Sequence, residues 1–372
     1  MAIERSENEK WLVKLLLLGC VITLLIIAKE ILIPLTVAVF FSFLLLPVSL
    51  LLERWRLPRA VAIIISIILA IAVFGGLLYF FYIQISSFAS DWPELKKSID
   101  QKLEEMYQFV RERFNISKTD QVKWINTKMK ETADSGDKIV IGVFSATGTF
   151  LASLALIPIY IFFISYYRDK FKQFISLIFG SEHPEKILEI IRKISVVSQH
   201  YLKGIFLDVL ILSILNSTGF LLLGIKHAIL FGVLASILNI IPYIGVLIGS
   251  ILPVLMALVT KDEIGYAIGA AGVCVFVQFL DNNFITPLVV GKSVSINPLT
   301  AVIALVTSAL IWGLPGMILC IPITGMLKVL CDNVERLKPY GFLIGEEVDY
   351  NQRDKLRLKL IRRFKTRSAK DA

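Results

Sequence analysis

Charge is scarce in this chain, and most of what there is lies outside its long apolar runs. Asp, Glu, Lys and Arg make up 19% of the 372 residues and hydrophobic residues 56%, whereas a soluble globular domain holds about 25% and about 45–50%. Its three histidines (His183, His200, His227) are scattered. Its four cysteines (Cys20, Cys274, Cys320, Cys331) sit in or at the ends of apolar segments without a CxxC pair. No metal site and no disulfide framework follow from such spacing. Neither H-E-x-x-H, G-x-S-x-G nor a Walker loop occurs, so no enzyme, no ATP-driven pump and no cofactor is expected.

What is present is a series of apolar runs, almost free of charge and long enough to cross a bilayer, whose core takes about 20 helical residues. Eight are read along the chain: 11–28, 31–52, 61–82, 139–167, 204–224, 227–259, 264–280 and 299–330. The expected fold is all-α, a polytopic membrane protein with about eight transmembrane segments and a small helical insert. The expected divisions are membrane helices over 1–83, an extracytoplasmic insert over 84–138, a fourth helix over 139–167, an amphipathic connector over 168–203, a second membrane region over 204–335 and a basic tail over 336–372. Within the insert Leu95, Ile99, Leu103, Met106, Val110 and Phe114 recur at helical spacing. Asp91-Trp92-Pro93-Glu94 reads as the start of a new helix, with Asp91 as its cap.

The segments 227–259 and 299–330 are both longer than one crossing needs and carry Pro and Gly inside, at Pro242 and at Leu314-Pro315-Gly316. Each reads either as one kinked, tilted helix or as a re-entrant hairpin. With the N-terminus in the cytoplasm, the loops 53–59 and 168–203 and the basic tail all fall inside, which satisfies the positive-inside rule. The C-terminus is cytoplasmic in either reading. From Arg353 onward nine bases face two acids. In a polytopic chain that tail suits anionic lipid rather than nucleic acid.

The candidate chemistry lies in two stretches that interrupt apolar sequence. The first is Asn239-Ile240-Ile241-Pro242-Tyr243-Ile244-Gly245; the second runs from Asp281-Asn282-Asn283 through Pro287 to Gly291, followed by Asn297-Pro298. Unpaired backbone groups in hydrocarbon cost several kcal/mol, so breaks survive only inside protein or along a wet cavity. Paired broken segments point to a transporter's substrate site. Candidate solute contacts are Asn239, Pro242, Tyr243, Gly245, Gln278, Asp281, Asn282, Asn283, Pro287, Gly291 and Asn297. The amides offer both donors and acceptors to a neutral, hydroxylated solute; the structural alternative is that they satisfy the broken backbone or join helices. Asp281 and Asp208 are the only carboxylates well inside apolar stretches. Both are candidates for coupling to Na⁺ or H⁺, with capping by Asp281 and pairing of Asp208 with Lys203 as the structural alternatives.

These residues resemble the autoinducer-2 exporter family of bacterial permeases. Ile241-Pro242-Tyr243-Ile244-Gly245, Asp281 to Lys292, Asn297-Pro298-Leu299 and Gly313-Leu-Pro-Gly316 carry the resemblance, as do Arg56-Leu57-Pro58-Arg59-Ala60 and Tyr166-Tyr167-Arg168-Asp169. It implies a multi-pass protein of the bacterial inner membrane that exports a small polar solute, such as autoinducer-2. Its partners would be lipids and copies of itself, in a ring-like homo-oligomer such as a pentamer. Some members of the family are assigned to sodium/proton exchange, which is the alternative function. An alternative of another class is a membrane scaffold or sensor binding a partner through 84–138. The family often has Glu at Asp281 and His at Asn297, and Asn cannot titrate.

Overall fold

The computed structural model describes residues 7–114, 155–179, 184–241, 244–290 and 295–346. Among these the fold is all-α, with a single isolated bridge between Ile296 and Gly345. The helices are α1 (Glu7–Ile27), α2 (Lys29–Arg54), α3 (Arg59–Phe114), α4 (Ala155–Tyr166), α5 (Arg168–Phe179) and α6 (Pro184–Leu222). They continue with α7 (Ala228–Leu238), α8 (Ile244–Thr260), α9 (Ile264–Leu280), α10 (Thr286–Val289), α11 (Pro298–Asn333) and α12 (Lys338–Ile344). Five helical stretches are long and apolar enough to cross a membrane: α2, Arg59–Lys102 of α3, Glu185–Leu222 of α6, Ile264–Val289, and α11. The protein is a multi-pass membrane protein.

Both overlong segments turn out to be hairpins. Helices α7 and α8 lie against each other, so that a Cβ on Gly249 would come within 2.9 Å of Ala235 Cα. The small residues Ala235, Gly245 and Gly249 allow that approach, as they do in membrane helix pairs generally, while Gly232 lets α7 pack as closely on Ser217 of α6. In α11 the chain reverses at Gly313, whose φ of 62° and ψ of −138° are open to glycine and costly for other residues. Beyond the turn, a Cβ on Gly316 would run into the carbonyl oxygen of Ser308. A straight helix of 36 residues would part its ends by about 54 Å. Instead Asn297, at its start, donates to the carbonyls of Leu343 (2.7 Å) and Gly345 (3.1 Å), and Gly345 packs on Lys328. Replacing Gly313 with Ala is expected to cost about 1–3 kcal/mol, read as faster thermal inactivation in detergent.

Two apolar clusters hold the frame. Ala38, Ile63, Ile67 and Ile161 join α2, α3 and α4. Leu95, Phe220, Phe231, Met256, Ala257 and Ala270 join α3, α6, α7, α8 and α9. The helix start expected at Asp91 does not exist: α3 runs unbroken through Pro93. A proline inside a helix removes one hydrogen bond and clashes with the preceding turn. Here the flanking residues are held from outside: Leu95 is buried, the ring of Phe88 meets Phe231, and Asp91 pairs with Lys226 at 3.0 Å. Asp91 is thus an anchor for the base of the α7–α8 hairpin and not a cap. The rest of the insert, 115–138, lies outside the described residues.

Candidate functional site

Helix α6 places the first half of the site. Gly204, Asp208, Leu212 and Asn216 recur every four residues and share one face. At Gly204 the helix meets α10 so closely that a Cβ would stand 2.9 Å from Val289 O and Val290 Cα. One turn on, the carboxyl of Asp208 lies near that of Asp281. Two turns further, Asn216 donates to Ser236 Oγ of α7 at 3.2 Å.

Helix α9 places the second half, with Cys274, Gln278 and Asp281 on one stripe. The break expected over 281–287 is instead a widened turn. Asp281–Ile285 form one turn of π-helix, in which Thr286 N bonds to Asp281 O, and the chain then continues into α10. Pro287 accounts for it: its ring would clash with the carbonyl four residues back and it has no N–H to give. A π-turn loosens the ladder where the proline sits, a device frequent at functional sites.

Asp281 is 3% exposed and well served by donors. Its Oδ2 accepts from Asn239 Nδ2 at 2.9 Å and from Gln278 Nε2 at 3.3 Å, and its Oδ1 accepts from Thr286 Oγ1 at 2.6 Å. Asn239 stands at the tip of the α7–α8 hairpin. The structure therefore brings the two sequence stretches together through this one carboxyl. Asp208 Oδ1, by contrast, is buried with no partner.

Beside the pair is a cavity of about 30 Å³, lined by Asn216, Asn239, Ser250, Cys274 and Gln278 among others. It has room for one or two waters, against about 300 Å³ for a small-molecule pocket. Of the remaining candidates, Asn282 accepts from Gln278 Nε2 at 3.0 Å and Asn283 donates to the Phe279 carbonyl at 2.8 Å. Both are exposed, as is Pro287 in the first turn of α10. Gly245 opens α8 where a Cβ would overlap the Leu238 carbonyl. Asn297 is not brought to the pair: its Oδ1 caps α11 by accepting from Thr300 N at 2.8 Å. Pro242, Tyr243 and Gly291 lie outside the described residues. Sequence reasoning passed over Asn216, Ser236, Ser250 and Thr286. The four-residue rhythm of α6 was the signal for Asn216; small hydroxyl residues in apolar helices gave none, since they also pack helices.

A family model described as AI-2E family transporter matches residues 13–336. The chain belongs to the AI-2E transporter family. Among its relatives, the putative transport protein YrrI of Bacillus subtilis is 24% identical over 318 residues, covering 84% of this chain and 89% of the relative. Putative transport protein YueF of the same organism is 26% identical over 319 residues, 82% and 84% of the two chains. The AI-2 transport protein TqsA of Escherichia coli is 24% identical over 328 residues, covering 86% and 90%. This AI-2E family member is a membrane transporter, and its named relatives are transport proteins rather than enzymes.

Proposed function

We propose that the chain exports a small, polar, hydroxylated solute across a bacterial inner membrane, with both termini in the cytoplasm, and that a proton on the Asp208–Asp281 pair drives it. One observation carries the reading: Asn239 at the tip of a hairpin is bonded to a buried carboxyl that has a second carboxyl nearby. Solute hydroxyls are the natural competitors for those bonds, because they both donate and accept. The cavity is too small for such a solute as it stands, so the hairpin tip must swing to admit it. The name of TqsA supports autoinducer-2, a furanone-derived signal, as the first solute to try.

The carboxyl pair equally favours a second reading, exchange of Na⁺ for protons. Proteoliposomes separate the two. Efflux of labelled polyols and autoinducer-2 is followed beside a pH dye, with and without a Na⁺ gradient. Export predicts solute flux that carries protons and ignores Na⁺. Proton movement driven by Na⁺ without solute would replace export by exchange. If neither occurs with intact inserted protein, the proposal fails.

A further inference from the structure

A second polar cluster, sharing no residue with the carboxyl pair, lies where α2, α3, α4 and α5 meet. Arg168 Nη2 donates to Glu53 Oε2 at 2.6 Å. Arg59 Nη1 donates to Asp169 Oδ2 at 2.9 Å and its Nη2 to the Ser165 carbonyl at 3.2 Å. These bonds leave three buried atoms without partners: Arg59 Nε, Arg168 Nη1 and Glu53 Oε1. Unsatisfied buried polar groups cost about 1–3 kcal/mol each, more when charged. Two donors and one acceptor unserved in one place describe a ligand with the opposite set: anionic oxygens to accept, and a hydroxyl to donate.

Position narrows the ligand. The apolar stretches of α2 and α3 end at Arg54 and begin at Arg59, so the cluster lies at the membrane–water boundary. Trp55 (68% exposed), Tyr166 and Tyr167 stand out around it, as aromatic residues do at that depth. Segments 53–59 and 165–172 together carry six bases against two acids. Helix α5 adds an apolar face made of Phe171, Phe174 and Ile178, all exposed, with Lys170 and Lys172 on other sides. An amphipathic, basic helix of that kind lies in the plane of a leaflet. Basic pockets between membrane helices on that side bind anionic headgroups.

We propose that Arg59, Arg168 and Glu53 form a binding site for the headgroup of an anionic phospholipid. The phosphate accepts from Arg59 Nε and Arg168 Nη1, a headgroup hydroxyl donates to Glu53 Oε1, and α5 is seated on the same leaflet. Phosphatidylglycerol has both features; phosphatidylcholine has the phosphate but no net negative charge and no hydroxyl. The site shares no residue with the proposed solute path.

The test uses the full chain, purified and stripped of lipid in neutral detergent. It is incubated with phosphatidylglycerol, phosphatidylcholine or inorganic phosphate, and bound lipid is counted by native mass spectrometry. Wild type is expected to retain phosphatidylglycerol over phosphatidylcholine, and the preference should fall about five-fold for each base removed in Arg59→Gln and Arg168→Gln. Glu53→Gln keeps an oxygen that can accept from the headgroup hydroxyl and leaves both bases in place, so it is expected to keep the preference. Because Arg168→Gln leaves the partly buried Glu53 without its ion-pair partner, Phe171→Ser/Phe174→Ser, on an exposed face, is the companion variant. It too should lower retention. Equal retention of both lipids by wild type overturns the proposal. So does unchanged retention in folded arginine variants or in the phenylalanine variant. Displacement of lipid by millimolar inorganic phosphate would assign the site to a soluble anion. A dimer holding no lipid would assign the face to a second copy of the chain.

Discussion

Asp281→Ala is expected to lower solute flux at least about 100-fold, since each hydrogen bond to a charged group is worth about 1.5–3 kcal/mol and three end on this carboxyl. The substitution strips the acceptor from Asn239, Gln278 and Thr286 together, and with it the tie between the hairpin tip and the π-turn. Asp281→Asn preserves shape and part of the bonding but cannot take part in proton exchange. It should therefore abolish proton movement and retain a residue of downhill solute flux. Flux into proteoliposomes, normalised to inserted protein, is the measurement. Normal flux in the alanine variant would remove Asp281 from the mechanism.

Gly245→Ala should act on the fold rather than on transport. A methyl there overlaps the Leu238 carbonyl oxygen, and one at Gly232 overlaps the backbone of Ser217. These are backbone atoms of packed helices, with no flexible side chain to yield. Overpacking of this kind costs about 1–3 kcal/mol or more. Either variant is expected to cut the yield of monodisperse protein sharply, read by size-exclusion chromatography after mild heating. Gly272→Ala, where nothing lies within 4 Å, should behave as wild type. Equal behaviour of all three would mean that neither the α7–α8 hairpin nor the α6–α7 pair is held by close backbone contact.

Much of the architecture was legible because hydrophobic runs in a membrane protein follow from the bilayer itself: wherever they are described, the long apolar stretches are helical apart from the turn at the α7–α8 tip. The choice between hairpin and kinked helix was not legible. Pro242 and Pro315 mark a disturbance in either case, and only a contact such as Gly316 against Ser308 tells a bend from a reversal. Asp91-Trp92-Pro93 misled because local capping signals carry no information about the tertiary anchors that keep α3 straight. Pro287 misled in the opposite sense, as a single widened turn absorbed what looked like a break. For the site, Asp281 and Asn239 were findable as polar residues inside apolar runs. Their contact was not, because forty-two positions separate them. Asn297 shows the cost of reading by residue type alone: its amide groups serve the caps of α11 and the α12 turn.

Cys274 offers the most direct test of the central claim, that the space between α6, α7, α8 and α9 opens into the solute path. It lines the cavity, and the other three cysteines, Cys20, Cys320 and Cys331, can be changed to serine. In proteoliposomes of that variant, maleimide labelling of Cys274 would be timed with and without transported solute. The account predicts that labelling proceeds during turnover and slows several-fold at saturating solute, and that a solute which is not transported leaves it unchanged. Labelling indifferent to a solute that is visibly crossing the membrane would place the path elsewhere.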